Sequence, residues 1–490
     1  MGILVAILLL AAITLYLYLS RWNGMLGIQK WMLPTAFVLK CAVGSFFLYL
    51  FIYQNPTGEI DNDARTFLFE GEVLNTVFYE SPVDYFRFLT GIGDTDALAD
   101  HYMSEATHWT VGDQSIINDN KNVIRMHSLI YFFSFDSPFV HLILFSLVGL
   151  IGLTFIYLVL KKFSGMNRAL LFWLIILLPS ALFWSSSVLK EPFSLLGIGL
   201  FLFVAFVKRK LTPFQRILGV LLSMIIMLAF KPYIFLFILP SVTFYWLYMK
   251  MPSRKLLYST LTFLLILTLG ALVFQQQIDK AVHHIARKQF DFSNLGRSGT
   301  FANNGKSFYF FKYEDYDVLK FEGDSVSVIK PCTAWIAKYG SLDEPTPIHL
   351  EPTGEKWIVH FKNEPATSFI EIPDVRTKTD LLYAAPQAIV NAVLRPFPTD
   401  PGSNFKYLTF LVSLTLFGTL ILALFRRPQL SAKQKGLIYS IVLFSLLLSL
   451  AIGWVTPVLG AIVRYRMPIE LGLVVVACIL FIPKKESSHE

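Results

Sequence analysis

The sequence predicts an all-α polytopic membrane protein with about eleven transmembrane helices and a small β-rich exoplasmic domain. Two properties of the composition point to this class. The chain has 490 residues, of which 54% are hydrophobic, and its mean hydropathy is +0.56. Only 16% of the residues are charged, whereas a soluble globular chain averages about 25%. A third observation is the repeated occurrence of apolar windows long enough, or nearly long enough, to cross a bilayer.

Apolar windows divide the chain into groups of helices. They lie at 2–19, 31–53, 138–160, 169–183, 192–207, 217–230, 232–249, 256–274, 407–425, 437–454 and 467–482. Several are shorter than the roughly 20 residues that a perpendicular span needs, which hairpin turns dipping below the membrane surface would explain. The first window lacks a basic region before it and a small-residue cleavage site after it, so we expect an uncleaved span.

Lysine and arginine in the short loops predict the orientation, because such residues are enriched on the cytoplasmic side. Under this helix count, one side receives Arg21, Lys30, Lys161, Lys162, Arg168, Lys208, Arg209, Lys210, Arg216, Lys250, Arg254, Lys255, Arg426, Arg427, Lys433, Lys435, Lys484 and Lys485. The N-terminus is then outside and the C-terminus inside the cytoplasm. The predicted parts are an N-terminal pair of spans (1–53), an acidic exoplasmic loop (54–137), a central bundle (138–274), a β-rich exoplasmic domain (275–406) and C-terminal spans (407–490).

The two long exoplasmic segments differ in pattern. The first contains aromatic-rich stretches such as "DYFRFL" (84–89), which we interpret as interfacial helices. The second alternates in the manner of strands in "SFYFFKY", "DSVSVI", "KWIVHF" and "SFIEI", with Gly and Pro between them.

The net charge of +8 does not indicate a nucleic-acid partner, because no basic run interleaves with aromatic residues. The three cysteines lie far apart, which argues against a disulfide framework or a zinc site. We predict no metal and no cofactor.

Three predicted helices begin with a cation followed by proline. Lys190 and Glu191 precede Pro192, and Lys231 precedes Pro232. The last predicted span begins in the same way, with Arg464, Arg466 and Pro468. Proline favours the first turn of a helix, and a helix N-terminus with Lys or Arg is suited to bind a phosphate or pyrophosphate. The alternative is that proline simply starts these helices and the lysines snorkel to headgroups.

Lys190 and Glu191 are consecutive, so on a helix their side chains point about 100° apart. We therefore expect each to have a different partner, with Glu191 orienting Lys231 or an arginine near Pro468. Lys40, inside the second window, has two interpretations, a snorkeling residue or an interhelical one.

Acidic residues on the same predicted side could accept a proton. Asp61 and Asp63 follow the second window, and a carboxylate there could act as a general base toward a sugar hydroxyl. Asp61-Asn62-Asp63 also matches the DxD pattern of metal–nucleotide binding, and a solvated acidic loop is a third interpretation.

Histidines in "HYMSEATH" raise a separate possibility. The stretch places His101, Glu105 and His108 at helical spacings. Such spacing could form a metal site, but the interpretation we prefer is a polar helix in the loop.

Short motifs carry a resemblance that extends over residues 61–468. "LGAIVRYRMP" near the end, "VLRPFP" before the late helices and "PSALFWSSSVLKEP" in mid-chain resemble those of bacterial O-antigen-polymerase-like (Wzy-type) proteins and lipid-carrier-dependent glycosyltransferases of the GT-C class. The key aspartate in the GT-C pattern usually follows the first helix, whereas Asp61 follows the second window.

The resemblance implies an inner-membrane enzyme acting on undecaprenyl-pyrophosphate-linked glycans at the periplasmic face. An acceptor hydroxyl would attack the anomeric carbon and the lipid pyrophosphate would leave. Asp61, Asp63 and, as a less favoured choice, Glu191 would serve as the proton acceptor. The cations that would bind the pyrophosphate are Lys190, Lys231, Arg395, Arg464 and Arg466. Two alternatives stay open: a transporter of a lipid-linked sugar, or a non-catalytic subunit of an envelope assembly or secretion machine with protein partners.

Overall fold

The computed structural model describes residues 1–53, 63–106, 108–109, 117–207, 211–251, 255–297, 299–303, 307–312, 317–323, 325–338, 345–362 and 366–484. The chain forms two compact units. Unit 1 comprises Met1–Tyr245, Gly418–Val442 and Glu470–Glu490, and unit 2 comprises Trp246–Phe417 and Leu443–Ile469.

Helices make up most of both units. In chain order they are α1 (Gly2–Leu19), α2 (Trp22–Leu26), α3 (Met32–Leu48, continued by a π-turn at Tyr49–Tyr53), α4 (Asp63–Glu80), α5 (Pro82–Thr90), α6 (Asp96–Tyr102), α7 (Asp119–Ser134), α8 (Pro138–Phe163), α9 (Arg168–Ile176), α10 (Pro179–Trp184), α11 (Glu191–Phe206), α12 (Pro213–Phe230), α13 (Pro232–Lys250), α14 (Lys255–Val273), α15 (Gln275–Gly296), α16 (Lys378–Leu394), α17 (Phe405–Phe425), α18 (Ala432–Val455), α19 (Leu459–Tyr465) and α20 (Met467–Phe481).

Eight helices in the described part of the chain are long and apolar enough to cross a membrane. They are α1, α3 with its π-turn, α8, α12, α13, α14, α17 and α18. Two further apolar helices, α11 and α20, are shorter. The predicted class of an all-α membrane protein is therefore supported, but the predicted count of eleven spans is not confirmed.

The window at 169–183 is not the single helix that the sequence analysis predicted. It forms two short helices, α9 and α10, which are separated at Leu177 and Leu178. Pro179 has no N–H to donate to the preceding turn, and its ring disfavours the helical conformation at Leu178. The apolar composition extends across this break, so hydropathy alone does not reveal it.

The described residues of the predicted acidic loop form four helices, α4 to α7. Side-chain oxygens start three of them, because Ser81, Thr95 and Asn118 accept hydrogen bonds from the first backbone N–H groups of α5, α6 and α7. The stretch 84–89 lies within α5, so its predicted helical structure is confirmed.

The alternating pattern predicted a small β-rich domain, and unit 2 contains a seven-stranded antiparallel sheet. The strands are β1 (Thr300–Asn303), β2 (Ser307–Phe311), β3 (Leu319–Glu322), β4 (Ser325–Val328), β5 (Cys332–Lys338), β6 (Thr346–Leu350) and β7 (Lys356–Lys362). Their order in the sheet is β3-β4-β7-β1-β2-β5-β6. One face is packed around the buried side chains of Phe311, Val326 and Trp357.

Three of the four predicted strand segments correspond to β2, β4 and β7, but "SFIEI" (368–372) does not join the sheet. Its backbone pairs instead with residues 457–459: the N–H of Ile370 donates to the Pro457 carbonyl at 2.7 Å, and the N–H of Leu459 donates to the Ser368 carbonyl at 3.0 Å. The predicted β-rich segment also includes two helices that the sequence analysis did not predict, α15 and α16.

Candidate functional site

The first turn of α7 organises a polar cluster in unit 1. The Oδ1 atom of Asn118 accepts from the backbone N–H groups of Asn120 and Lys121, which starts the helix. Asp119 and Asn120 then project toward Lys190, the residue that precedes α11. The Nζ atom of Lys190 lies 2.7 Å from Oδ2 of Asp119 and also donates to Oδ1 of Asn120. Lys190 is thus held by one charged and one neutral acceptor.

Glu191 has a different partner, as the consecutive positions predicted. Its Oε1 atom accepts from Nζ of Lys231 at 2.7 Å, and both residues are buried. The contact brings the start of α11 to the start of α13, so two of the three predicted cation–proline helix starts are adjacent. α11 begins at Glu191, one residue earlier than predicted. The C-terminal end of α12, which directly precedes Lys231, also contacts α7, because Nδ2 of Asn122 donates to the Ala229 carbonyl at 2.9 Å.

One face of α4 borders this cluster. Asp63, Phe67 and Glu70 are spaced by four and three residues, which places them on one side of the helix. Nζ of Lys190 lies over the ring of Phe67 at 5.5 Å from its centre, a cation–π arrangement. The imidazole of His108 contacts the same ring, with the two ring centres 4.9 Å apart. Phe67 therefore lies in contact with both Lys190 and His108.

His108 is positioned by a buried carboxylate. Oε1 of Glu70 accepts from the backbone N–H of His108 at 2.9 Å and lies 3.2 Å from its Nδ1. The other ring nitrogen, Nε2, is 4.0 Å from Oδ1 of Asp63. A carboxylate bound to one imidazole nitrogen sets the orientation and tautomer of the ring, as in hydrolytic triads. With Nδ1 held by Glu70, the Nε2 atom of His108 is the ring nitrogen that can accept a proton from a bound group and release it again.

The residue after His108 anchors it to α7. Trp109 is buried, with Nζ of Lys121 5.0 Å and the guanidinium carbon of Arg125 5.2 Å from its ring centre. Asp94 lies beside these cations, with 3.9 Å between its Oδ2 and Nζ of Lys121. Burial raises the pKa of the Asp94 carboxyl, although Lys121 and Arg125 oppose that rise.

The polar helix that we preferred for the stretch of His101, Glu105 and His108 is confirmed only as far as Tyr102, where α6 ends. The three side chains therefore do not share one helix. Within the described ranges, no group of three His, Cys, Asp or Glu side chains is placed to hold a metal ion. Sequence reasoning also missed Glu70, whose pairing with His108 joins residues 38 positions apart. The charged position of Glu70 between the buried apolar residues Phe67 and Leu74 of α4 could have drawn attention to it.

Lys40 is an interhelical residue, which was one of its two predicted interpretations. It is buried, and its Nζ donates to the Ser185 carbonyl at 2.9 Å and to the hydroxyls of Ser185 and Ser186. Ser185 caps the C-terminal end of α10. Lys40 therefore ties α3 to the hairpin that leads to Lys190, and this contact is structural.

The predicted arginines lie in unit 2. Arg466 is buried and donates from Nη1 to the Arg395 carbonyl and from Nη2 to Oγ of Ser413, the latter at 2.8 Å. It thereby satisfies a carbonyl at the C-terminal end of α16, a common role for a basic side chain. Arg395 pairs with Asp400 at 3.0 Å, and the guanidinium of Arg464 lies 5.8 Å from the ring centre of Tyr465.

The predicted site residues are thus partly brought together. Lys190, Glu191, Lys231 and Asp63 belong to the cluster in unit 1, while Arg395 and Arg466 contact each other in unit 2. Asp61 lies outside the described residues. No protein family, no curated protein and no solved structure matches this chain significantly.

Proposed function

We propose that this chain is a glycosyltransferase or polysaccharide polymerase of the bacterial inner membrane that acts on undecaprenyl-pyrophosphate-linked sugars at the periplasmic face. The observation that carries the proposal is that the ring of Phe67 contacts both Lys190 and His108, which places a lysine at a helix start beside a carboxylate–imidazole pair. Transfer from a lipid diphosphate needs cations near the leaving group and a proton acceptor near the attacking hydroxyl, and this cluster contains both.

The cations would act on the diphosphate. Lys190 is the better candidate for direct contact, because its partner Asp119 is partly exposed and Lys190 lies beside the beginning of α11. The N–H groups at the start of that helix add positive potential. As the bond from the anomeric carbon to the diphosphate oxygen breaks, its electron pair passes to the diphosphate, and these charges stabilise it.

The proton acceptor would be a residue at the start of α4. Asp63 is the predicted base that the structure describes, and Nε2 of His108 is within 4.0 Å of its Oδ1. The acceptor hydroxyl forms its new bond to the anomeric carbon and its proton goes to Asp63 or to Nε2 of His108, with Glu70 stabilising the imidazolium that results. Asp61 precedes this helix by two positions and remains a predicted base.

Glu191 would be a positioning residue. Its side chain is buried and bound to Lys231, so it is better placed to orient that lysine than to reach a sugar hydroxyl. Arg395, Arg464 and Arg466 remain predicted substrate-binding residues, although the contacts of Arg466 with backbone carbonyls favour a structural role.

The direct test uses purified chain in proteoliposomes with undecaprenyl-diphosphate-linked oligosaccharides extracted from cells that lack this chain. We expect release of undecaprenyl diphosphate together with longer glycans, and loss of both with Asp63→Asn. Lys320→Ala, which alters an exposed lysine of the sheet, is the matched control and should retain activity. An inactive wild type that restores glycan assembly only with other envelope proteins would identify an accessory subunit. Movement of the unreacted lipid between leaflets would identify a transporter.

Orientation has its own test. The three native cysteines are buried, so new cysteines can be labelled selectively in intact cells with a membrane-impermeant maleimide. We expect Pro345→Cys to react and Thr212→Cys to react only after permeabilisation. The opposite pattern would overturn the proposed location of the N-terminus outside and the C-terminus in the cytoplasm.

A further inference from the structure

α5 has three rows of side chains with different surroundings. Tyr85 and Phe88 point into unit 1 and are buried. Asp84 and Arg87 form a second row and are joined by a salt bridge of 2.8 Å. The third row carries Val83, which is 64% exposed, and the ring of Phe86. A helix at a water-facing surface normally has one apolar stripe that packs on the protein, so the exposed second stripe requires another explanation.

The exposed stripe continues onto neighbouring helices. Tyr79, at the end of α4, is 71% exposed, and Phe132, at the end of α7, lies 6.3 Å from its ring centre. Phe78 links the two ends, with its ring centre 4.9 Å from Phe132 and 6.5 Å from Phe86. We refer to the exposed side chains of Tyr79, Val83, Phe86, Phe132, Phe133 and Phe135 as the aromatic patch. A group of exposed apolar side chains of this kind marks a binding surface.

One end of the aromatic patch lies where two candidate membrane spans begin. Phe135 is in the turn between α7 and α8, three residues before Pro138 begins α8. The start of α1 packs on the same turn, because a Cβ atom at Gly2 would lie 2.6 Å from the Phe135 carbonyl oxygen. Both α1 and α8 are candidate spans. Their first residues therefore mark the level at which the chain enters the membrane, and Phe135 lies at that level.

We propose that the aromatic patch is embedded in the boundary between lipid headgroups and acyl chains, in the leaflet where α1 and α8 begin, and that α5 lies in the plane of that boundary. α5 has nine residues and is about 14 Å long, too short for a hydrocarbon core of about 30 Å. Aromatic side chains are enriched at this depth of the bilayer. The row of Asp84 and Arg87 would then face water, which matches an interfacial helix with one polar side. The lipid surface is the occupant because Phe135 lies three residues before the candidate span α8 and beside the start of the candidate span α1.

The test measures depth directly, independently of any enzymatic activity. A nitroxide spin label is attached to Phe86→Cys, and its collisions with oxygen and with a water-soluble nickel complex are compared in proteoliposomes of phosphatidylethanolamine and phosphatidylglycerol. The neighbouring Arg87→Cys is the matched control, and Val83→Cys repeats the measurement on the apolar stripe. We expect the labels at 83 and 86 to collide more with oxygen and several-fold less with nickel than the label at 87.

Two results would overturn the proposal. The first is equal access of the nickel complex to positions 86 and 87, which would place the aromatic patch in water. The second is protection from both reagents together with disulfide crosslinking between copies at position 86, which would identify a second copy of the chain as the occupant.

Discussion

Nζ of Lys231 lies 2.7 Å from Oε1 of Glu191, with both residues buried in unit 1. This ion pair joins the first residue of α11 to the residue between α12 and α13, and the residue before Glu191 is the one that pairs with Asp119. Lys190 thus pairs with the start of α7, while its neighbour Glu191 pairs with Lys231 before α13. The two contacts together position the backbone at Lys190.

Removing one member of the Glu191–Lys231 pair should destabilise unit 1 strongly. We expect Glu191→Ala and Lys231→Ala each to cost about 3–5 kcal/mol, because a buried charge loses its partner. The double variant should cost less than the sum, since neither charge remains. Thermal unfolding of the four proteins in detergent measures this cycle. Additive effects would show that the two side chains do not interact energetically.

Lys190 should affect turnover more than stability. Removing its charge-assisted contact with the diphosphate, about 1.5–3 kcal/mol, should reduce glycan synthesis about 10- to 100-fold in Lys190→Ala. Lys190→Arg should lose less, because it retains the charge with a different shape. Activity is normalised to membrane-inserted protein, and Lys320→Ala serves as the control. Wild-type synthesis by Lys190→Ala would remove Lys190 from the proposed site.

His108 offers a test that separates catalysis from structure. We expect His108→Ala to reduce turnover about 10²- to 10⁴-fold, the usual contribution of a general acid–base group, and added imidazole to restore part of the activity. Glu70→Gln should reduce turnover as well, since the ring loses its charged acceptor. His101→Ala alters an exposed histidine of the same segment and should have no effect. Loss of activity in His108→Ala without rescue, accompanied by a lower melting temperature, would indicate a structural role.

Acid should destabilise unit 1 through His127. Burial lowers the pKa of this imidazole from 6.5 to about 4, and its Nε2 donates to the Val188 carbonyl at 3.0 Å. Its neutral form is favoured by folding, so its contribution is complete above pH 6.5 and is lost as the pH falls toward 4. The loss is about 3 kcal/mol.

His127→Gln keeps a donor for the Val188 carbonyl but cannot titrate, so it is the matched variant for this pH effect. The difference in melting temperature between wild type and His127→Gln should shrink between pH 7 and pH 4.5. A difference that is constant across this range would contradict the assigned burial of the neutral imidazole.

Neighbouring residues of β7 should differ sharply in their effect on the sheet. Trp357 is buried against Tyr309 and Phe311, with ring centres 5.6 and 5.8 Å away, whereas Ile358 faces outward. Trp357→Ala should cost about 3–5 kcal/mol and Ile358→Ala less than about 0.5 kcal/mol. Hydrogen–deuterium exchange of peptides from β1, β4 and β7 reports on this. Equal exchange in both variants would show that the Trp357 face is not the core.

Regular structure was largely predictable because it depends on local composition. Apolar windows located the long apolar helices to within a few residues, and alternation located β2, β4 and β7, but the polar helix α15 was missed. The break at Pro179 was missed because hydropathy does not record a missing N–H donor. The prediction that 368–372 joins the sheet was wrong, because this segment pairs with residues near Pro457, about 90 residues later in the chain. Alternation indicates that a segment can form a strand, but it does not identify the segment with which that strand pairs.

The candidate site was predictable from the sequence only in part. Consecutive positions of Lys190 and Glu191 were enough to predict different partners, since helical geometry separates adjacent side chains by about 100°. The identity of those partners depended on packing: Asp119 and Lys231 are 71 and 40 positions away from them in the sequence. The pairing of Glu70 with His108 carried no local signal, because it exists only when α4 and the segment before α7 are brought together. The sequence by itself determined the membrane class, most helices and the charged helix starts, whereas the tertiary structure alone decided which charges meet, because ionic contacts act through space and not along the chain.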